Sequence, residues 1–249
     1  MGVFVTGDTH GDFRRLKQCA LPEGAGAGEG DYVIVCGDFG GVWDGGERDA
    51  EKLDRLDALP FTTVFVDGNH ENFDELCQYP VGEWRGGRVH RVRPGVLHLM
   101  RGQIFELEGL SFFTMGGGRS TDTWDGLLDP EEPDFAERYW SLRARNAAFR
   151  VKHLSWWEQE LPSAEEYAEA RQNLNRAGRR VDYILTHCAP DSIQDRLGGG
   201  RYRSDELTRF LEEVKRGVSF RRWFFGHYHY DTDIDGKYFL LHQRIVRVI

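Results

Sequence analysis

The chain has 249 residues, of which 40% are hydrophobic and 29% are charged. This composition is too apolar for a disordered chain and is ordinary for a globular enzyme with a substantial buried core. The formal net charge is −9, which argues against a broad surface for nucleic acid or for an anionic membrane. The net charge leaves room for a local basic pocket.

The N-terminus and the cysteines indicate an intracellular protein. Met1 leads directly into a short strand-like run, so we expect no signal peptide and a cytoplasmic location. No apolar run approaches the about 20 residues that span a bilayer. The four cysteines, Cys19, Cys36, Cys77 and Cys188, include no CxxC pair. We interpret them as small buried side chains in a reducing compartment.

Six short apolar runs, rich in β-branched or aromatic residues, predict strands that are buried on both faces. In chain order they are residues 3–5, 32–36, 63–66, 110–115, 183–185 and 223–225. Helix-like stretches at 13–19 and 48–59 separate the first three runs, which indicates a β-α-β-α-β opening. The glycine-rich stretch 22–30 is predicted to be a surface loop.

The pattern changes after residue 72. Several short strands are predicted within 89–115 and 231–249, and helices at 130–149, 163–177 and 204–215. Ser163 and Glu166 form a capping box at the start of one helix, and Ser204 is expected to cap another. No internal repeat or convincing linker divides the chain, so residues 1–249 are expected to form a single mixed α/β domain.

Ligand-type residues follow five of the predicted strands within about two positions of the strand end. They are Asp8 and His10, Asp38, the group Asn69-His70-Glu71, His187, and the pair His227 and His229. Because the carboxyl ends of strands in an α/β sheet share one edge, the five loops are expected to converge. Glycines at 7, 37, 68 and 226 permit sharp turns or close approach. One such cluster is commonly a turn or a cap, but five at the same structural position predict a site.

In this order the clusters resemble the sequence blocks of the calcineurin-like metallophosphoesterases. Those blocks are Asp-x-His, Gly-Asp, Gly-Asn-His-Asp/Glu, His and Gly-His-x-His, and here they extend from residue 8 to residue 229. The resemblance therefore covers nearly the whole chain. It implies a four-layer α/β/β/α sandwich of two mixed sheets flanked by helices, with two metal ions at the strand ends.

The resemblance implies seven metal ligands. Asp8, His10 and His229 would bind one ion, Asn69, His187 and His227 the other, and Asp38 would bridge both. Imidazole, carboxylate and amide ligands suit Mn, Fe or Zn and disfavour copper(I) and iron–sulfur clusters. Two cations about 3.5–4 Å apart require a shared anionic ligand, which agrees with the bridge. A shared hydroxide would then attack a small phosphomonoester or phosphodiester at neutral pH.

His70 is left over from the ligand set. By the same resemblance it faces the leaving-group oxygen and acts as general acid. Glu71 either orients His70 or forms a salt bridge. The remaining histidines, His90, His98, His153 and His242, have no partner at ligand spacing and are interpreted as structural.

One branch of the family, the phosphoprotein phosphatases, follows Gly-Asp with x-Val-Asp-Arg-Gly, which supplies a phosphate-binding arginine. Here residues 37–43 read Gly-Asp-Phe-Gly-Gly-Val-Trp, so that arginine is missing. Arg119, in the glycine-rich loop 116–120, is the best substitute because glycines permit close approach. Arg14 and Arg15 are second choices.

Two other functions compete with a simple phosphoesterase. A phosphoprotein or nucleotide-polyphosphate phosphatase is disfavoured by the missing arginine and its companion aspartate. A non-catalytic protein-binding scaffold on the same fold is disfavoured because all seven ligand positions carry competent side chains. The choice between monoester and diester, the metal and the oligomeric state stay open.

Overall fold

The computed structural model describes residues 1–17 and 27–249. Cys19, the end of the first predicted helix and residues 22–26 of the predicted loop lie outside the described residues. The strands are β1 (Val3–Thr6), β2 (Tyr32–Cys36), β3 (Thr62–Val66), β4 (Val81–Trp84), β5 (Gly87–Arg93), β6 (Val96–Leu99), β7 (Ile104–Leu107), β8 (Leu110–Met115), β9 (Gly126–Leu128), β10 (Phe149–Val151), β11 (Tyr183–Thr186), β12 (Arg222–Phe225), β13 (Thr232–Ile234), β14 (Tyr238–Leu240) and β15 (Val246–Arg247). The helices are α1 (Arg14–Lys17), α2 (Glu47–Asp57), α3 (Phe73–Leu76), α4 (Phe135–Ala144), α5 (Ala164–Arg176), α6 (Asp191–Gly198) and α7 (Glu206–Gly217), with a 3-10 turn at Glu158–Glu160.

The strands form two large mixed sheets. The first has seven strands in the order β15-β1-β2-β3-β6-β5-β4, and the second has six in the order β13-β14-β12-β11-β8-β7. In the first sheet β1, β2, β3 and β6 are parallel, and in the second β8, β11, β12 and β14 are parallel. Antiparallel strands close the edges. The strands that precede the predicted ligands therefore lie side by side in the centre of each sheet.

Alternate residues of the central strands face different cores. Ile34 of β2 points into a core between the sheets, together with Leu185 and Phe224 of the second sheet. Val33 and Val35 face outward and pack with Leu53 and Leu56 of α2. On the other side, outward residues of β8, β11 and β12 pack against α5, α6 and α7. The predicted four-layer sandwich is confirmed, and burial on both faces explains why these strands read as continuous apolar runs.

All six apolar runs form strands, and the segment 89–115 contains several short strands as predicted. The capping box of α5 is present, with Ser163 accepting from the Glu166 backbone and Glu166 accepting from that of Ser163. Cys36 and Cys188 are buried as expected, whereas Cys77 is exposed.

Two helix predictions need correction. The predicted helix 130–149 is shorter, because α4 ends at Ala144 and Phe149 begins β10, which pairs with β9. The helix predicted at 204–215 is α7. It is capped by Asp205 and not by Ser204, since the Asp205 carboxylate accepts the Thr208 backbone N–H. Within the described residues, no helix is both long and apolar enough to cross a bilayer.

Candidate metal centre

The predicted ligand loops meet at one end of the sandwich, where hydrogen bonds join them. The His10 backbone N–H donates to the Asp38 carbonyl at 2.7 Å, which ties the loop after β1 to the loop after β2. The Gly226 N–H donates to the His187 carbonyl at 3.1 Å, which ties the loops of the second sheet together. The convergence expected from the strand ends is therefore present.

Four of the predicted ligands form a first group. Donor atoms of Asp8, His10, Asp38 and His229 all lie within 4.8 Å of one another. His229 Nε2 lies 3.2 Å from Asp8 Oδ2 and 3.3 Å from His10 Nε2. His10 Nε2 lies 3.8 Å from Asp38 Oδ2. This group is a candidate site for one divalent cation.

The other three predicted ligands surround the second oxygen of Asp38. His187 Nε2 lies 3.3 Å from Asp38 Oδ1 and 3.1 Å from Asn69 Oδ1. His227 Nδ1 lies 3.2 Å from the same His187 nitrogen. Asp38 thus presents Oδ2 to the first group and Oδ1 to this one.

The backbone at the centre departs from ordinary conformations. His10, Asp38, His227 and His229 have φ angles of +47°, +45°, +74° and +57°. The left-handed region is uncommon for residues with a side chain, and it concentrates at functional sites where the fold can offset its cost. The side chains of these four residues converge on the same region. This convergence is expected of a functional site and not of four unrelated turns.

Two glycines make room for the carboxylates. A Cβ atom on Gly68 would lie 2.0 Å from Asp38 Oδ1, and one on Gly226 would lie 2.0 Å from Asp8 Oδ1. No real side chain tolerates such distances, so a larger residue at either position would displace a carboxylate. The close approach expected of these glycines is confirmed.

The pKa shifts of Asp8 and His227 favour the protonation states that bind cations. Burial acts to raise the pKa of Asp8, but the hydrogen bond to His229 and the neighbouring His187 outweigh it and hold that pKa below its usual value. Burial, followed by the nearby His187, lowers the pKa of His227 to about 4. An ionised carboxylate and a neutral imidazole are the protonation states that coordinate metals.

Hydrogen bonds to neighbouring groups orient two of the predicted ligands, His187 and Asn69. His187 Nδ1 lies 2.9 Å from the Cys36 carbonyl and must carry the proton to donate to it, so Nε2 keeps its lone pair for the centre. Asn69 Nδ2 donates to Ser120 Oγ at 3.3 Å, and Ser120 Oγ donates to Glu160 Oε1 at 2.8 Å. These bonds turn Asn69 Oδ1 toward His187. No sequence signal identified Ser120 or Glu160, which lie 51 and 91 positions from Asn69 in the chain.

Ser120→Ala is expected to weaken cation binding at the second group about 10–100-fold, as loss of a side chain that holds a metal ligand in place typically does. The reason is that Asn69 then loses the acceptor that fixes its amide. Calorimetric titration of the metal-free protein with Mn²⁺ measures the cation affinity. Ser111→Ala is the matched control, because its hydroxyl pairs with Asp182 away from the centre. Equal affinity in Ser120→Ala and the control would contradict the orienting role.

His70 lies beside the centre without contributing a ligand atom to either group as defined above. Its backbone N–H donates to Asp38 Oδ1 at 2.8 Å, and its ring lies 5.4 Å from that of His10. Arg150 Nη2 donates toward His70 Nε2 at 3.3 Å and also pairs with Asp122 at 2.6 Å. Arg150 was not identified from the sequence. The segment before it was predicted to be helical up to residue 149, and β10, which contains Arg150, was not predicted.

Among the described residues, no salt bridge involves Glu71 and no hydrogen bond joins its carboxylate to the His70 ring. The buried carboxylate of Glu71 accepts the backbone N–H groups of Phe39 at 2.7 Å and Gly68 at 3.4 Å. Burial, together with Asp38, raises the pKa of Glu71 well above its usual value. The side chain therefore joins the loops after β2 and β3 through their backbones.

The three candidate arginines differ in their surroundings. Arg119 is 57% exposed, with Nε 3.5 Å from Asp205 Oδ2, and it borders a cavity that reaches His227. Arg15 donates to the backbone carbonyls of Gly7, Asp8 and His242, which commits its guanidinium to the fold. Arg14 pairs with Asp12 on the surface at 2.5 Å. Of the three, Arg119 is the one that lines this cavity.

A buried polar cluster supports the loop after β3 from behind. Asp67 accepts from Arg101 at 2.5 Å and lies 3.0 Å from His98 Nε2, and His98 Nδ1 lies 2.9 Å from His90 Nδ1. Arg101 also donates to the Gln159 carbonyl at 2.6 Å. The interpretation of His90 and His98 as structural agrees with these contacts.

The donor set fits divalent cations. Carboxylate oxygens and imidazole nitrogens make up the first group, and the second adds the amide oxygen of Asn69. Gly68 and Gly226 lie so close to these carboxylates that a Cβ atom on either would fill the space. The chain is similar to lariat debranching enzymes. That of Caenorhabditis briggsae is 24% identical over 86% of this chain and 41% of the relative, and that of Mus musculus is 26% identical over 47% of this chain and 23% of the relative. The chain thus spans less than half the length of these relatives.

A solved structure of phosphopantetheinyl hydrolase from Mycobacterium tuberculosis aligns with 97% of this chain and 89% of that chain, at 14% identity and a TM-score of 0.45. The sequence profile described as calcineurin-like phosphoesterase matches residues 1–231. That match includes every predicted ligand and all strands of the two sheets except β13, β14 and β15. The chain belongs to the calcineurin-like phosphoesterase family.

Proposed function

We propose that the chain is a metal-dependent hydrolase that cleaves phosphodiesters with two divalent cations. The observation that carries the proposal is Asp38, whose two oxygens face two different groups of ligands, with His10 Nε2 at 3.8 Å and His187 Nε2 at 3.3 Å. A centre for a single ion would not need seven ligands arranged around both oxygens of one carboxylate.

The bound cations would supply a nucleophile at neutral pH and neutralise charge on the phosphate. The chain's own residues would do the remaining work. His70 would give a proton to the leaving oxygen, and Arg150, which is only 14% exposed, would bind the same side of the substrate. Arg119 is proposed to bind a phosphate oxygen, since arginine presents paired N–H donors to such groups.

The diester is preferred to the monoester because the curated relatives are lariat debranching enzymes. Mn, Fe and Zn all suit the donor set. The phosphoprotein-phosphatase alternative has no matching arginine after Asp38, where the chain continues as Phe39-Gly40-Gly41. Non-catalytic scaffolding is the remaining alternative.

The proposal is tested by stripping the protein with EDTA, reloading it with Mn²⁺, and assaying bis-4-nitrophenyl phosphate and 4-nitrophenyl phosphate. We expect about two ions per chain by elemental analysis, no activity without metal, and a higher kcat/KM on the diester. His153→Asn is the matched control, because His153 is exposed, lies outside both ligand groups and has a φ of +55° that Asn tolerates. A protein that binds two ions and hydrolyses neither ester would favour the scaffold.

A further inference from the structure

A cavity of about 650 Å³ opens next to the second ligand group. His227 forms part of its wall, so the cavity is continuous with the candidate metal centre. The loop after β8 supplies Arg119 and Trp124, and the segment between α6 and α7 supplies Arg201, Tyr202 and Arg203. A volume of this size holds a small organic ligand.

The cavity has the opposite charge to the chain as a whole. The chain carries a net charge of −9, yet the cavity is lined by four arginines and only two acidic residues, namely Arg119, Arg201, Arg203, Arg209, Asp205 and Glu206. Arg119 pairs with Asp205. Among residues 1–17 and 27–249, no carboxylate lies within 4 Å of the guanidinium of Arg201, Arg203 or Arg209. The excess positive charge is therefore available to an anion.

An aromatic side chain is held at the rim. The indole of Trp124 is 72% exposed, although burying a tryptophan is normally favourable. Arg203 lies over that indole, with its guanidinium carbon 5.1 Å from the ring centroid. Tyr202 packs edge-on against Tyr228 at 4.9 Å, which fixes the inner wall. The exposed indole, next to guanidinium groups that have no carboxylate partner among the described residues, suits a planar group that carries negative charge.

We propose that this cavity binds a nucleotide portion of the substrate, with the base stacked on Trp124 and phosphate oxygens held by the arginines. The proposal rests on the proposed phosphodiesterase function and deepens it by naming nucleotide esters as the substrate class. Base–aromatic stacking and arginine–phosphate pairing are the two contacts by which proteins hold single nucleotides without reading their sequence.

Two other ligand classes fit the wall less well. A lipid chain would need aliphatic side chains, and none of the described residues that line the cavity is Leu, Ile, Val, Met or Phe. A phosphopeptide would use the arginines but would leave the exposed Trp124 face without a partner. A nucleotide uses both features.

The test compares two diesters with the same leaving group, thymidine 5′-(4-nitrophenyl phosphate) and methyl 4-nitrophenyl phosphate. The ratio of kcat/KM for the first to kcat/KM for the second isolates the nucleoside. We expect a ratio of about ten or more in the wild type, and a fall of about tenfold in that ratio in Trp124→Ala and in Arg203→Gln. Trp140→Ala is the matched control, since Trp140 is 65% exposed and does not line the cavity.

Binding of thymidine 5′-monophosphate to the Mn²⁺-loaded protein, measured by calorimetry, gives a readout that needs no turnover. We expect Trp124→Ala to weaken that binding about tenfold and Trp140→Ala to leave it unchanged. Nucleotide binding that depends on Trp124, without hydrolysis of either ester, would sustain the nucleotide site and reject the phosphodiesterase. Hydrolysis with a wild-type ratio near one, or with a ratio that Trp124→Ala does not lower, would overturn the nucleotide site and leave the phosphodiesterase standing.

Discussion

Asp38→Asn is expected to bind fewer than two divalent ions per chain and to lose at least about 10³-fold in kcat on bis-4-nitrophenyl phosphate. The substitution removes a charge that faces both ligand groups, with Oδ2 toward His10 and Oδ1 toward His187. Two cations held about 3.5–4 Å apart repel each other unless an anionic ligand lies between them. A loss of several kcal/mol of charge stabilisation corresponds to a rate loss of this size.

The substitution is a sharp test because it leaves the fold alone. Asn has the shape of Asp and, like Asp, tolerates the φ of +45° found at position 38. Its amide oxygen can still accept the His70 backbone N–H that Asp38 Oδ1 now accepts. Thermal unfolding of the metal-free variant should therefore match the wild type or exceed it, since a buried charge beside Asp8 is removed.

Elemental analysis, activity and thermal unfolding are measured together, with Asp12→Asn as the control. Asp12 lies in the same loop as Asp8 and His10, but it is exposed and pairs with Arg14. The control should keep about two ions and wild-type kcat. If Asp38→Asn also kept two ions and its activity, Asp38 would not be the bridge and the two ligand groups would have to be assigned anew.

The parts of the fold and site that follow from the sequence are those with short-range or periodic causes. Tyr32–Cys36 forms β2 over the predicted residues because every side chain in it is buried on one face or the other. The loop positions of Asp8, Asp38 and His187 follow from the rule that parallel strands present their carboxyl ends at one edge. The capping box of α5 needs only two residues three positions apart.

The parts that could not be predicted depend on contacts between distant segments. Arg15 and Arg119 are both arginines near a ligand loop, and only the fold shows that Arg15 is used by the carbonyls of Gly7 and His242. Arg150 reaches His70 from 80 positions away. Its strand β10 is three residues long and begins shortly after the end of α4, so the sequence pattern predicted a single helix up to residue 149.

The second large effect is expected at His70. His70→Asn should keep about two ions per chain, lose about 10²–10⁴-fold in kcat on an alkyl phosphodiester, and lose much less on bis-4-nitrophenyl phosphate. The bound ions would be occupied by the nucleophile and the phosphate oxygens, so a departing alkoxide needs a proton from the protein. A departing 4-nitrophenolate is stable without one.

The structure makes the substitution selective for that role. His70 touches the ligand set through its backbone N–H, which donates to Asp38 at 2.8 Å and which Asn retains. The side chain is what changes, and with it the contact between Nε2 and Arg150 at 3.3 Å. Arg150→Gln separates the two contributions. If Arg150 binds the substrate, this variant should raise KM on both kinds of ester, whereas His70→Asn should lower kcat on one kind.

The leaving-group comparison, made with metal content measured on the same samples, has three outcomes with different meanings. A larger loss on the alkyl ester, with two ions retained, is the result expected of a proton donor. Equal losses on both esters would show that His70 positions the substrate or shapes the centre. Loss of metal in His70→Asn would show that His70 is a ligand, and the set of seven would then be wrong. Because His70 contacts Asp38 through its backbone N–H and not through its ring, we expect the metal to be retained and the first outcome to be found.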